Sequence, residues 1–184
     1  MGGSIAMILT NYRLWRAITT TTLLKSGNQT PNPNEIDLSG MRAYGNSASR
    51  YKMPISTYYG GQGTFENWSL NLNLSSHIGN GTTEPTDTDY VLSSDKTTQF
   101  SNISRSFNAM ADGNSFKLVH TITGTNASNN TITISEIGIT KNIYVTGYPS
   151  NVFVEFLFVR SLLNEPIDVQ PGRGVSITVE WVEA

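Results

Sequence analysis

The chain of 184 residues contains no cysteine. Disulfide staples, thiolate metal sites and a cysteine nucleophile are therefore excluded. Charge is scarce as well. Charged residues make up 14% of the chain, against about a quarter in typical globular domains. With 12 basic and 14 acidic residues the formal net charge is −2, which argues against a non-specific nucleic-acid surface. Near the N-terminus, "MGGSIAMILTNYRLWR" holds only a short apolar run, Ile5 to Leu9, with basic residues after it. That is too short for a membrane span and in the wrong order for a signal peptide. Met7 is a candidate natural start. Catalytic signatures are also missing: there is no G-x-S-x-G elbow and no H-E-x-x-H, and His77 and His120 are the two histidines.

Asn, Thr, Ser and Gly fill the space that charge leaves, a composition of strands and turns rather than of surface helices. "SLNLNLS" sets Leu70, Leu72 and Leu74 on one face, and "SFKLVHTIT" does the same with Phe116, Leu118 and Ile122. Such alternation predicts half-buried strands. "NNTITISEIGIT" alternates through Ile132 and Ile134, then changes phase to Ile137 and Ile139, predicting a bulge or bend near Glu136. "NVFVEFLFVRSLL" is apolar on both parities from Phe156 to Val159, as expected of a strand covered on both faces. "GVSITVEWVEA" keeps Val175, Ile177, Val179 and Trp181 in register after a Pro171-Gly172 turn. These strands predict an all-β fold, an antiparallel β-sandwich or jelly-roll-like domain over residues 25–184. Residues 1–24 read as an N-terminal arm, with a short helix at most within 12–24, where four threonines oppose helix formation.

"HIGNGTTEPTDTDYVLSSD", residues 77–95, is the least ordinary stretch. It lacks the lysine of a phosphate loop and the acid spacing of a calcium loop. Asp87 and Asp89 share a parity and form at most a weak cation site. The reading as a long ordered turn is preferred, with Thr and Asp side chains capping its backbone and Tyr90 or Leu92 packing on the core. The segment is expected to hold neither phosphate nor a catalytic role. His120 shares the parity of the apolar residues of its strand and reads as a core or interface histidine; His77 is placed to approach Asp87 or Asp89. The acid pairs Asp87/Asp89 and Glu165/Asp168 do not rise above surface carboxylates. Seven Asn-x-Ser/Thr sequons, among them Asn126, follow from the composition.

Three segments carry a resemblance. Gly79, Gly81, Thr82, Thr83, Pro85, Thr86, Asp89, Tyr90 and Leu92 are followed by Thr133, Ile134, Glu136, Ile137 and Gly138, and then by Arg160, Leu163, Glu165, Pro166 and Pro171-Gly172. This order, over roughly residues 68–182, resembles structural proteins of tailed-bacteriophage virions. The resemblance implies a β-rich particle subunit without catalytic residues, cofactor or metal. It leaves head decoration, head fibre and tail component open. The implied partners are other virion proteins and copies of the chain itself, with neither nucleic acid nor membrane. The implied location is the virion, after synthesis in the host bacterial cytoplasm.

The apolar N-terminal residues Ile8, Leu9, Tyr12, Leu14 and Trp15 are the candidates for contact with other chains, with packing on their own domain as the equally weighted alternative. An alternative of a different class is a carbohydrate- or receptor-binding module recognising a host surface glycan. Its candidates are Tyr51, Tyr58, Tyr59 and Trp68 around the Gly60–Gly63 tip, since aromatic faces suit sugar rings.

Overall fold

The computed structural model describes residues 7–8, 13, 35–37, 41–45, 52–54, 74–112, 115–145 and 152–183. Strands dominate them, and every ladder is antiparallel. The strands are β1 (Met7–Ile8), β2 (Glu35–Asp37), β3 (Lys52–Pro54), β4 (Leu74–Gly79), β5 (Phe100–Asp112), β6 (Ser115–Asn126), β7 (Ile132–Val145), β8 (Val152–Val169) and β9 (Gly174–Glu183). One sheet has the order β1-β8-β7-β4 and another β5-β6-β9, while β2 and β3 form a separate pair. Arg13 is the one described residue in α-helical conformation, so the helix expected over 12–24 otherwise lies outside the described residues.

Alternation builds the strands as expected. Along β6, Leu118, His120 and Ile122 point inward and are buried; along β9, Ile177 and Val179 do the same. The phase change in β7 is a register break: Ile134 faces Ile167 while Glu136 faces Leu162. Four residues of β8, 163 to 166, thus bulge opposite Ser135 alone. A second shift, between Ile139 and Thr140, leaves Phe158 as an extra residue on β8. That bulge is why Phe156, Leu157, Phe158 and Val159 are all buried: β8 lies inside its sheet, and the extra residue resets its alternation midway. The "SLNLNLS" reading needs one correction. The strand expected there continues past Leu74 to Gly79 as β4, and residues 69–73 lie outside the described residues.

The chain passes between the two larger sheets three times, at β4→β5, β6→β7 and β8→β9. One buried apolar cluster joins Ile134, Ile137, Ile139, Phe156 and Phe158 of the first sheet to Leu118, Ile122, Ile177 and Val179 of the second. Asn126, 0% exposed, ties the corner where the passes meet. Its amide N–H donates to Arg173 O (3.0 Å), and its carbonyl accepts Gly172 N–H (2.8 Å). Its Nδ2 donates to Asn130 O and to Val169 O, both at 2.8 Å. Its Oδ1 accepts from the Ser128 amide and hydroxyl. Next to it, Ala127 N–H reaches Gln99 O (2.9 Å) at the β4→β5 pass. This sequon asparagine is structural and sealed from solvent.

The N-terminal segment is not wholly separate from the sheet. Met7 pairs with Arg160 and Ile8 with Val159, so β1 is an edge strand on β8 of its own chain. Within the proposed 1–24 arm, the backbone of Ile8 is therefore engaged at home; Leu9, Tyr12, Leu14 and Trp15 lie outside the described residues.

Candidate functional site

The stretch 79–95 leaves β4, crosses the end of the first sheet and returns to pair Gly79 with Asp95. A buried charge knot holds it. Glu136 of β7 is 0% exposed and Arg160 of β8 is 2% exposed. Arg160 Nε and Nη2 donate to Glu136 Oε2 at 3.0 and 2.8 Å. Arg160 Nη1 donates to Asp89 Oδ2 (2.6 Å), and Nη2 also reaches Thr83 O (2.8 Å) and Ser93 Oγ. The other lone pairs of Glu136 take backbone amides: Gly81 (3.0 Å) and Ser94 (2.8 Å) on Oε1, Ser93 (3.2 Å) on Oε2. Ser135 Oγ closes the ring by donating to Gly81 O (3.0 Å).

A buried ion group is tolerated only when such partners replace its lost water. Here two carboxylates face one guanidinium, and loop amides satisfy the remaining acceptors. Gly81 has to be glycine, because a Cβ there would collide with the Glu136 carboxylate and with Ser93 Cβ. Gly138 likewise leaves room for Leu92 and Leu157, whose side chains would sit 2.9 and 2.7 Å from an added Cβ. Asp89 also caps the turn: its Oδ2 accepts the Thr86 amide (3.0 Å) and its Oδ1 the Thr86 hydroxyl (2.7 Å). These bonds, with the Arg160 guanidinium beside them, outweigh partial burial and hold Asp89 below the usual carboxylate range. The expected local capping by Asp89 is present, and its link to a buried arginine on β8 goes beyond it.

His77 does not approach Asp87 or Asp89, as the sequence suggested. It stands between Asp95 (Nδ1 to Oδ2, 2.6 Å) and Glu155 (Nε2 to Oε1, 3.0 Å), with Tyr44 stacked on its ring at 4.1 Å. Tyr44 donates its hydroxyl to Asp95 Oδ2 (2.6 Å), Thr97 its amide to Asp95 Oδ1 (2.8 Å) and Thr140 its hydroxyl to Glu155. Burial opposes a charge on His77, but the two carboxylates outweigh it and push its pKa up to about 9. The ring is then a cation at neutral pH, donating from both nitrogens. It is a clasp between loop and sheet, unsuited to general-base work, which needs a pKa near the operating pH. Burial and the bond to Asp95 push the Tyr44 hydroxyl far up, so it too stays protonated.

His120 is the opposite case. It is 1% exposed, and neither ring nitrogen has a hydrogen-bond partner among the described residues. Burial, with the Arg105 charge behind it, pushes its pKa down to about 4. The core placement expected from parity holds.

Opposite pH slopes follow. His77 is raised from 6.5, so its contribution is full below about 6.5 and is lost as pH rises toward about 9. His120 is lowered, so the unfolded chain takes up its proton first and stability falls as pH drops from about 6.5 toward about 4. Urea midpoints recorded across pH should peak near neutrality. His77→Gln should flatten the alkaline limb, and His120→Leu the limb between about 6.5 and about 4. If both variants keep the parent profile, neither histidine behaves as its surroundings dictate.

Among the described residues no group of three or more His, Asp or Glu is arranged to hold a metal ion. No helix among them is long and apolar enough to cross a membrane. Tyr51, Tyr58, Tyr59 and Trp68 lie outside the described residues. The knot itself joins all three of the segments singled out in the sequence, a convergence that their separation along the chain concealed. No protein-family model, curated protein or solved structure matches the chain.

Proposed function

We propose that this chain is a non-enzymatic structural subunit of a tailed-phage particle, on head or tail, built as a two-sheet β-sandwich. One observation carries the reading: the three phage-like segments meet at the Glu136–Arg160–Asp89 knot, where each polar group is engaged in holding a loop. The chemistry of that knot is that of a framework, because its carboxylates and guanidinium are closed on one another and on backbone amides. The buried cluster common to both sheets supports the sandwich. The non-consecutive neighbours β4-β7 and β6-β9, each separated along the chain by a hairpin of the other sheet, are crossovers of the Greek-key kind that sandwiches and jelly rolls share. Low charge suits a surface that is buried against neighbours. The partners are other virion proteins and further copies of this chain, and the place of action is the virion.

An antibody to the chain should label washed, purified particles at repeated positions in the electron microscope. Particles devoid of the chain, with the protein left free in the lysate, would contradict the proposal. Glycan binding by the isolated protein, abolished by Tyr58→Ala or Trp68→Ala, would instead favour the carbohydrate-binding alternative.

A further inference from the structure

We propose that the outer edge of β9 is where this chain pairs with a second copy of itself, strand to strand, across a two-fold axis at Thr178. The inference builds on the reading of the chain as an assembly subunit and names its self-contact.

The sheet edges are treated unequally. On β4 the outer edge is occupied: Lys96 N–H donates to Ile78 O (2.7 Å), Asn80 N–H to Ser94 O (3.0 Å), and Thr97 Oγ1 accepts Ile78 N–H (2.8 Å). Beside it, β5 is blunted. Its ladder breaks between Ser101 and Ser104, Asn102 has φ +51°, and Arg105 reaches across to Ser76 Oγ (3.1 Å) and O (3.2 Å). The edge strand β1 is two residues long. Bulges, shortness and covering charges are the usual means by which an edge avoids pairing with another chain.

Among the described residues none of these devices protects β9. It pairs with β6 through ten consecutive residues without a register break, and β6 is its one strand partner among the described residues. It contains neither proline nor lysine. Its outer face, Ser176, Thr178 and Glu180, is exposed. A row of N–H and C=O groups with no partner among the described residues selects a β-strand as its occupant.

The sequence of β9 favours its own copy in that role. About Thr178 the strand is quasi-palindromic: an antiparallel pairing sets Ile177 against Val179, Ser176 against Glu180, and position 175 against 181. Ile177 and Val179 meet on the inner face, and at the axis the Thr178 hydroxyls meet on the outer. Glu180 meets serine and not another Glu180, so like charges are kept apart. Its own charge is already answered by Lys117 at 2.5 Å. The pairing is isologous and closed, and it joins two three-stranded sheets into one.

The absence of cysteine makes the test clean. Thr178→Cys introduces a single thiol at the axis, where it faces its own copy. Ser106→Cys lies in the same row of the sheet, Ser106–Thr121–Thr178, but on the opposite edge. Under mild oxidation Thr178→Cys should give a disulfide-linked dimer of twice 20.2 kDa, and Ser106→Cys should not. In addition, Thr178→Lys and Thr178→Glu should each reduce the solution mass to that of one chain, and their mixture should restore the pair. A monomeric parent protein would overturn the proposal, as would equal cross-linking at both edges or charge variants that keep the parent mass while staying folded. Such a failure would leave particle labelling unaffected, so the self-contact and the particle reading are judged separately.

Discussion

Arg160→Met should destabilise the protein by about 3–5 kcal/mol, the range for breaking one side of a buried ion pair. Methionine fills much of the space but leaves Glu136, 0% exposed, without its counter-charge. It also strips the guanidinium from Asp89, Thr83 O and Ser93 Oγ. A domain has about 5–15 kcal/mol in total, so urea unfolding should shift to very low denaturant or lose its cooperative transition. Adding Glu136→Gln to Arg160→Met should cost less than the two changes separately, because the second removes the stranded charge. It should not restore the parent stability, since an amide cannot accept from Gly81, Ser93 and Ser94 as two carboxylate oxygens do. Full additivity would mean that the two side chains do not act as one unit.

Asn126→Ala should cost about 2–3 kcal/mol, the penalty for leaving buried polar groups unpaired. The change frees Val169 O, at the end of the central strand β8, and the Ser128 amide, at the start of the β6→β7 corner. Asn126→Asp should be no better: it keeps the acceptor toward Ser128 but turns an oxygen toward the carbonyls of Asn130 and Val169. Ser128→Ala, which leaves the donor side of Asn126 intact, should be much milder. Thermal unfolding of the three variants side by side tests the ranking, and an alanine at 126 with parent-like stability would remove this corner from the structure's essential supports.

Much of the fold was legible because it is local. The period-two patterns of β6 and β9 and the phase change at Ser135–Glu136 can be read in a few residues. Other features depend on distant partners. Nothing near Met7–Ile8 announces a strand partner about 150 positions away, so the sequence leaves packing at home and docking on a neighbour equally open, and only the pairing with Val159 and Arg160 decides for these two residues. The knot left a trace that could have been followed. Glu136 and Arg160 are the single charges of two apolar windows, "TISEIGI" in β7 and "FLFVRSLL" in β8, and buried charges require partners. His77 misled because Asp87 and Asp89 are near it along the chain, whereas Asp95 and Glu155 are brought to it by the returning loop and by β8. Asn126 was visible as a sequon. Its Asx-turn geometry, with Oδ1 accepting the amide two residues on, is the more telling property of "NAS" after a strand.

Amide hydrogen exchange at Gly81, Ser93 and Ser94 tests most directly whether the 79–95 connection is framework or a reactive loop. Each of these amides donates to the Glu136 carboxylate within the buried knot. As framework, they should exchange only with global unfolding, as slowly as amides of β7 and β8, and Arg160→Met should release all three together. Exchange at the rate of exposed turn residues such as Asp87 would contradict this, placing the connection among segments that open on their own.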